Sequence, residues 1–204
     1  MSFRETSTMI SDFVLSATCF LAGTGRISKL RNFSWREFGI SWFGMIGFSV
    51  IGFAAFLGVL RFGYIFPRRH YSLKDWHRYF SDLGSMFGLP MLAAAFTQRT
   101  EWQNLCWLFL FVSLISILLH CVEALHLAVR DFCAAMSVLF ILFSGIFMDY
   151  RGVTNRYSVA GSVSFILATL VSTQGRGIFG VKNVDWFHYL LAIGVYCWAE
   201  ALML

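Results

Sequence analysis

Phe38–Leu60 reads FGISWFGMIGFSVIGFAAFLGVL, a run with no charged side chain and with glycine or alanine at seven of its 23 positions. A helix needs about 20 apolar residues to cross the hydrocarbon core of a bilayer, and this run is long enough. Working outward from it, six further stretches have the same character: Thr8–Gly23, Tyr79–Thr97, Trp102–Val122, Asp131–Met148, Ser158–Thr173 and Val184–Leu204. The composition agrees, with 58% hydrophobic and 13% charged residues in 204. Soluble domains carry about 25% charged residues, so a water-soluble fold of this size has too little polar surface to cover so much apolar area. Backbone amides in lipid must bond within their own segment, and alternating strands of the barrel type are absent from the sequence. The expectation is an all-α, polytopic membrane protein, a compact bundle of seven transmembrane helices forming one domain over residues 1–204.

No small-residue cleavage pattern follows Met1-Ser2-Phe3-Arg4-Glu5, so the first span is expected to act as its own targeting element. Cys19, Cys106, Cys121, Cys133 and Cys197 all fall in or beside apolar spans, none of them in a CxxC pair. They read as small buried hydrophobes rather than a disulfide framework or a zinc ribbon. The net charge of +5 reflects basic loops, chiefly Arg26–Arg36 and Arg61–Arg78, which in a membrane protein serve insertion and contact with acidic headgroups. Nucleic acid is not an expected partner. With seven crossings, Lys and Arg divide nine to seven between the two faces, too evenly to orient the chain. Asn32-Phe33-Ser34 is a glycosylation sequon whose occupancy reports the side of the first loop.

Small residues mark the packing seams. Ala160, Ser164, Ala168 and Ser172 recur every four residues, and Ala54 with Gly58 gives the second span a similar smooth face. Such faces let helix backbones approach closely in lipid, either within the bundle or between two copies of the chain.

Polar residues align as well. Asp12, Ser16 and Cys19 lie on one stripe of the first span, and Ser113, Ser116, His120 and Glu123 on one face of the fourth. Ionisable groups at membrane depth cost several kcal/mol unless paired or hydrated, which makes them functional candidates. Alternating spans put Asp12, Asp82, His120, Glu123 and His188 at the membrane face that holds the N-terminus. The candidate pocket is therefore Asp12, Ser16, Asp82, Ser113, Ser116, His120, Glu123 and His188. A reading of the same residues as helix-end groups reaching interfacial water stands beside it. Two imidazoles and a carboxylate suit zinc with a bound water, and His120-x-x-Glu123-x-x-His126 puts donors on adjacent turns, although that spacing drifts around the helix. If any metal is held, His120, His126 and His188 are its ligands; otherwise no cofactor is expected.

The run Val184-Asp185-Trp186-Phe187-His188-Tyr189-Leu190-Leu191 opening the last span, with the Ser and Asp stripe of the early spans, resembles the CREST group of seven-helix membrane hydrolases and receptors, which includes alkaline ceramidases and adiponectin-type receptors. The resemblance covers the general plan and about ten residues of the last helix. It implies a seven-helix fold and a zinc site built from a His-x-x-x-His pair in the last span and a histidine in the second. Only His188 matches: Val184 stands where its partner belongs, and Arg61-Phe62-Gly63 stands where the second-span histidine is sought.

Three functions follow in order of preference. The first is a multi-pass membrane protein with an interior polar pocket that binds lipid or serves as a subunit of a membrane complex, without catalysis. The second is a CREST-like metal-dependent lipid amidase or hydrolase. The third is a small transporter or channel, against which the short chain and the scarcity of mid-span charges count.

Overall fold

The computed structural model describes residues 5–25, 42–66, 69–100, 102, 104–119, 126–147, 154–171, 177 and 180–203. All regular structure among them is helical: α1 (Thr6–Gly23), α2 (Trp42–Phe62), α3 (His70–Leu83), α4 (Leu89–Thr97), α5 (Leu105–Leu119), α6 (His126–Phe147), α7 (Arg156–Val171) and α8 (Asn183–Met203). A wide π-helical turn, Gly84–Gly88, joins α3 to α4 without a break. The described residues thus form seven helical rods, one over each apolar stretch of the sequence. Two helices, Trp42–Phe62 and Leu127–Phe147, are long and apolar enough to cross a membrane; Leu105–Leu119 and Arg156–Val171 are shorter apolar helices.

The third rod differs from the apolar segment that its sequence suggests. Its first half, α3, turns His70, Leu73, His77 and Phe80 toward α2 and leaves Tyr71, Lys74, Asp75, Trp76, Arg78 and Tyr79 exposed. Its second half, α4, is buried over every residue from Leu89 to Thr97. Pro90 lacks the N–H of an ordinary helical ladder, and the wide turn just before it absorbs that loss in the manner of a π-bulge.

Packing passes from neighbour to neighbour, α1 on α2, α2 on α4, α4 on α6, α6 on α7, α7 on α8 and α8 back on α1, with α5 outside α4 and α6. Small residues set the closest approaches. A methyl carbon added at Gly52 would lie 2.8 Å from Cys19 Cβ, and Ser16 Oγ of α1 donates to the Gly52 carbonyl at 3.0 Å. On the other side Gly161 faces the Trp198 indole, and Ser164 Oγ donates to the Leu190 carbonyl at 2.7 Å. Trp198 is fully buried, stacks on Phe165 with centroids 4.1 Å apart, and donates from Nε1 to Ser162 Oγ. Of the small residues singled out in the sequence, Ala54, Gly58, Ser164 and Ala168 are buried within the chain, Ala160 is exposed and Ser172 lies outside the described residues.

Buried hydroxyls share the interior with an apolar core, and large apolar side chains also cover the outside. Ser11, Asp12, Ser16, Ser113, Ser116, Ser137, Ser144, Ser158 and Ser162 are buried, among alanines and glycines. The outside carries Phe13, Phe111, Leu114, Phe143 and Phe147, and Trp107, Leu118 and Leu170 are each about 70% exposed. The interior hydroxyls bond to backbone carbonyls, mostly of their own helix: Ser113 to Phe109, Ser137 to Cys133, Ser162 to Ser158. That is how serine is accommodated without water. Cys19, Cys106, Cys133 and Cys197 are free thiols; Cys121 falls outside the described residues.

Candidate functional site

The buried face of α1 follows the helix period through Thr8, Ser11, Asp12, Leu15, Ser16 and Cys19, and packs on α2 and α8. The first turns of α8 present Asp185 and His188, one turn apart, to that face. Four polar side chains meet there. Ser11 Oγ lies 3.3 Å from Asp185 Oδ1 and 3.2 Å from His188 Nδ1, and His188 Nδ1 lies 3.2 Å from Asp12 Oδ1. Asp12 and Asp185 are each 1% exposed and His188 8%. The approach of His188 to Asp12 lacks the alignment of a hydrogen bond. Among the described residues, both carboxyl oxygens of Asp12 and Asp185 Oδ2 receive no donor. Gly58 of α2 closes the other side, its α-carbon so near the Asp12 carboxyl that a methyl carbon there would overlap it.

Around this core lies a second layer. Arg61, at the end of α2, acts electrostatically on Asp12, stacks its guanidinium over Phe62 with 4.6 Å to the centroid, and donates from Nη1 to His77 Nδ1 at 3.1 Å. Burial, reinforced by the Arg61 charge, pushes His77 down to about 4, so it is neutral at ordinary pH. An uncharged imidazole is what the Arg61 donor requires, since only a neutral ring offers an accepting nitrogen. From Asp12 a ladder climbs α1 to the surface: Ser11 Oγ is 3.0 Å from the Thr8 carbonyl, Thr8 Oγ1 is 3.5 Å from Glu5 Oε2, and Glu5 pairs with Lys182 at 2.9 Å.

Of the residues expected from sequence, Asp12 and His188 meet. The others are placed elsewhere or serve the fold. Ser16 holds α1 on α2. Asp82 pairs with Arg130 at 3.2 Å, an arginine that also binds Asp131. Ser113 and Ser116 donate to carbonyls of their own helix, Ser116 also touching Cys133 Sγ at 2.8 Å. His120 and Glu123 lie outside the described residues, as does the side chain of His126. Four members of the site were not among the candidates: Ser11, Asp185, Arg61 and His77. Asp185 carried a readable signal, standing three residues before His188 on one helical face; Arg61 and His77 carried none, because only the tertiary contact of α2 with α3 brings them together.

Of the histidines expected as zinc ligands, only His188 has a described side chain; those of His120 and His126 lie outside the described residues. Among the described residues no three His, Cys, Asp or Glu side chains are arranged to hold a metal ion, and Val184 offers no ligand beside His188. At the opposite end of the bundle a small cavity of about 20 Å³, lined by Phe96, Arg99, Thr100, Ser144, Gly145, Asn155 and Ser158, has room for one water. Arg99 and Asn155 there both donate to the Ala201 carbonyl in the last turn of α8, satisfying a group that helix ends leave without a partner. No protein-family model, curated protein or solved structure matches this chain.

Proposed function

We propose that the chain is a multi-pass integral membrane protein whose seven rods cross the bilayer, and that it works without catalysis, as a lipid-binding protein or as a subunit of a membrane complex. The observation that carries this reading is the apolar exterior: phenylalanine, leucine and tryptophan stand exposed on the outside, while buried serines and acids share the interior with apolar side chains. In water such an exterior drives aggregation, whereas in lipid it is the solvated surface. Small interior residues supply the close van der Waals packing that holds helices together where no hydrophobic effect acts between them. The third crossing runs through Tyr79–Thr97, with the polar turns of α3 at headgroup level, where Tyr71 and Trp76 match the aromatic belt of membrane interfaces. The broad apolar outer faces of α5 and α6, with Trp107, Phe111, Phe132 and Phe143 exposed, are the surface offered to acyl chains or to a partner helix.

Mass spectrometry of the protein purified at native expression in mild detergent tests the reading. Stoichiometric lipid or a constant partner chain is the expected result. Protein that carries neither, and that releases a fatty acid or amine from a lipid extract, would replace it with the hydrolase; ion or solute flux in liposomes would replace it with the carrier.

A further inference from the structure

We infer that Ser11, Asp12, Asp185 and His188 form a buried proton-binding site, which holds one proton between Asp12 and His188. The inference goes beyond the function proposed above and does not depend on a lipid or a partner chain.

The first argument is satisfaction. An ionised carboxylate only accepts hydrogen bonds, and one buried without donors is strongly disfavoured. Here two carboxyl groups share one cluster, and three of their four oxygens receive no donor from the described residues. A proton on Asp12 turns it into a donor, and His188 Nδ1, 3.2 Å from Oδ1, becomes its acceptor once the two side chains turn into line. The remaining hydroxyl proton, that of Ser11, then serves Asp185 Oδ1. One added proton removes one of two neighbouring negative charges and gives the cluster the donor it lacks.

The second argument is size. Gly58 presses on the Asp12 carboxyl from α2, leaving no volume on that side for a metal ion and its ligand shell. The charged and titratable groups facing the site are Arg61 from α2, Asp185 and His188 from α8, and Glu5 on α1 itself; His77 of α3 acts on His188.

Infrared spectroscopy of the full chain in lipid nanodiscs at pH 7 tests the site. Expected is the carbonyl band of a protonated carboxylic acid, displaced in D2O, absent from Asp12→Asn, and retained in Asp82→Asn, whose native carboxylate pairs with Arg130. Asp185→Asn keeps Asp12 and retains the band, so the assignment survives if Asp12→Asn fails to fold. Absence of the band from the wild-type protein overturns the inference, as does a band that persists in folded Asp12→Asn. A wild-type protein without the band whose melting temperature rises when sodium replaces a large organic cation would hold a metal cation there instead.

Discussion

Gly58→Ala adds one methyl group where the α-carbon already lies against the Asp12 carboxyl. Asp12 has little freedom to retreat, because His188 and Ser11 of the cluster stand behind it. Overpacking of this kind costs typically 1–3 kcal/mol. Alanine in place of glycine in a helix recovers roughly 0.5–1 kcal/mol, so with mid-range values the net loss is about 1 kcal/mol. For a chain of about 200 residues each kcal/mol moves the melting temperature by roughly 2–4 °C, which gives a fall of that size. The assay is thermal unfolding in detergent micelles followed by circular dichroism, run as a double-mutant cycle with Asp12→Ala. Removing the carboxyl removes the clash, so Gly58→Ala becomes neutral or mildly stabilising in that background, with a coupling energy of about 1–3 kcal/mol. An equal fall in both backgrounds, or no fall in the wild-type background, would refute the contact between α1 and α2 described above.

Trp198→Ala removes the fully buried indole between Phe165 and Ser162 and is expected to cost about 3–5 kcal/mol, while Trp198→Phe keeps the stacking and loses only the bond to Ser162, about 1 kcal/mol; chemical denaturation in micelles distinguishes the two. Acidification probes His77. Its value in the folded chain, about 4, lies below that of a free histidine, about 6.5, so the stability contributed by the neutral ring is complete above pH 6.5 and is lost as pH falls toward 4. Thermal melts of the wild-type chain are expected to decline across that window more steeply than those of His77→Asn, which keeps an acceptor for Arg61 and does not titrate; parallel curves would contradict the Arg61–His77 bond.

The rods were legible in the sequence because each is a run of consecutive, mostly apolar residues of helical length. Thr8–Gly23 and Val184–Leu204 match α1 and α8 to within two residues at each end. The third rod was legible only in its second half: α3 spreads its apolar residues over one face, a pattern that a search for unbroken apolar runs passes over. The site was half legible. Asp12 and His188 stood out as charges intruding on apolar helices, and alternation of spans correctly put them at one end. Ser113 and Ser116 stood out equally, yet a serine facing its own helical carbonyl looks the same in sequence as one lining a site. The role of Gly58 shows the limit: as a small residue it reads as a packing seam, which it is, but only the helix crossing reveals that the group packed against it is a carboxyl.

The central claim is that seven crossings gather Asp12, Asp185 and His188 beneath one membrane face. Protease and glycosylation mapping of tags at the two termini and in the loops, carried out in sealed vesicles, tests it most directly. The account predicts the N-terminus and the segments 63–69, 120–125 and 172–182 on one side, with 24–41, 98–104, 148–155 and the C-terminus on the other. Termini on the same side, or a chain released from membranes by alkaline carbonate, would contradict it.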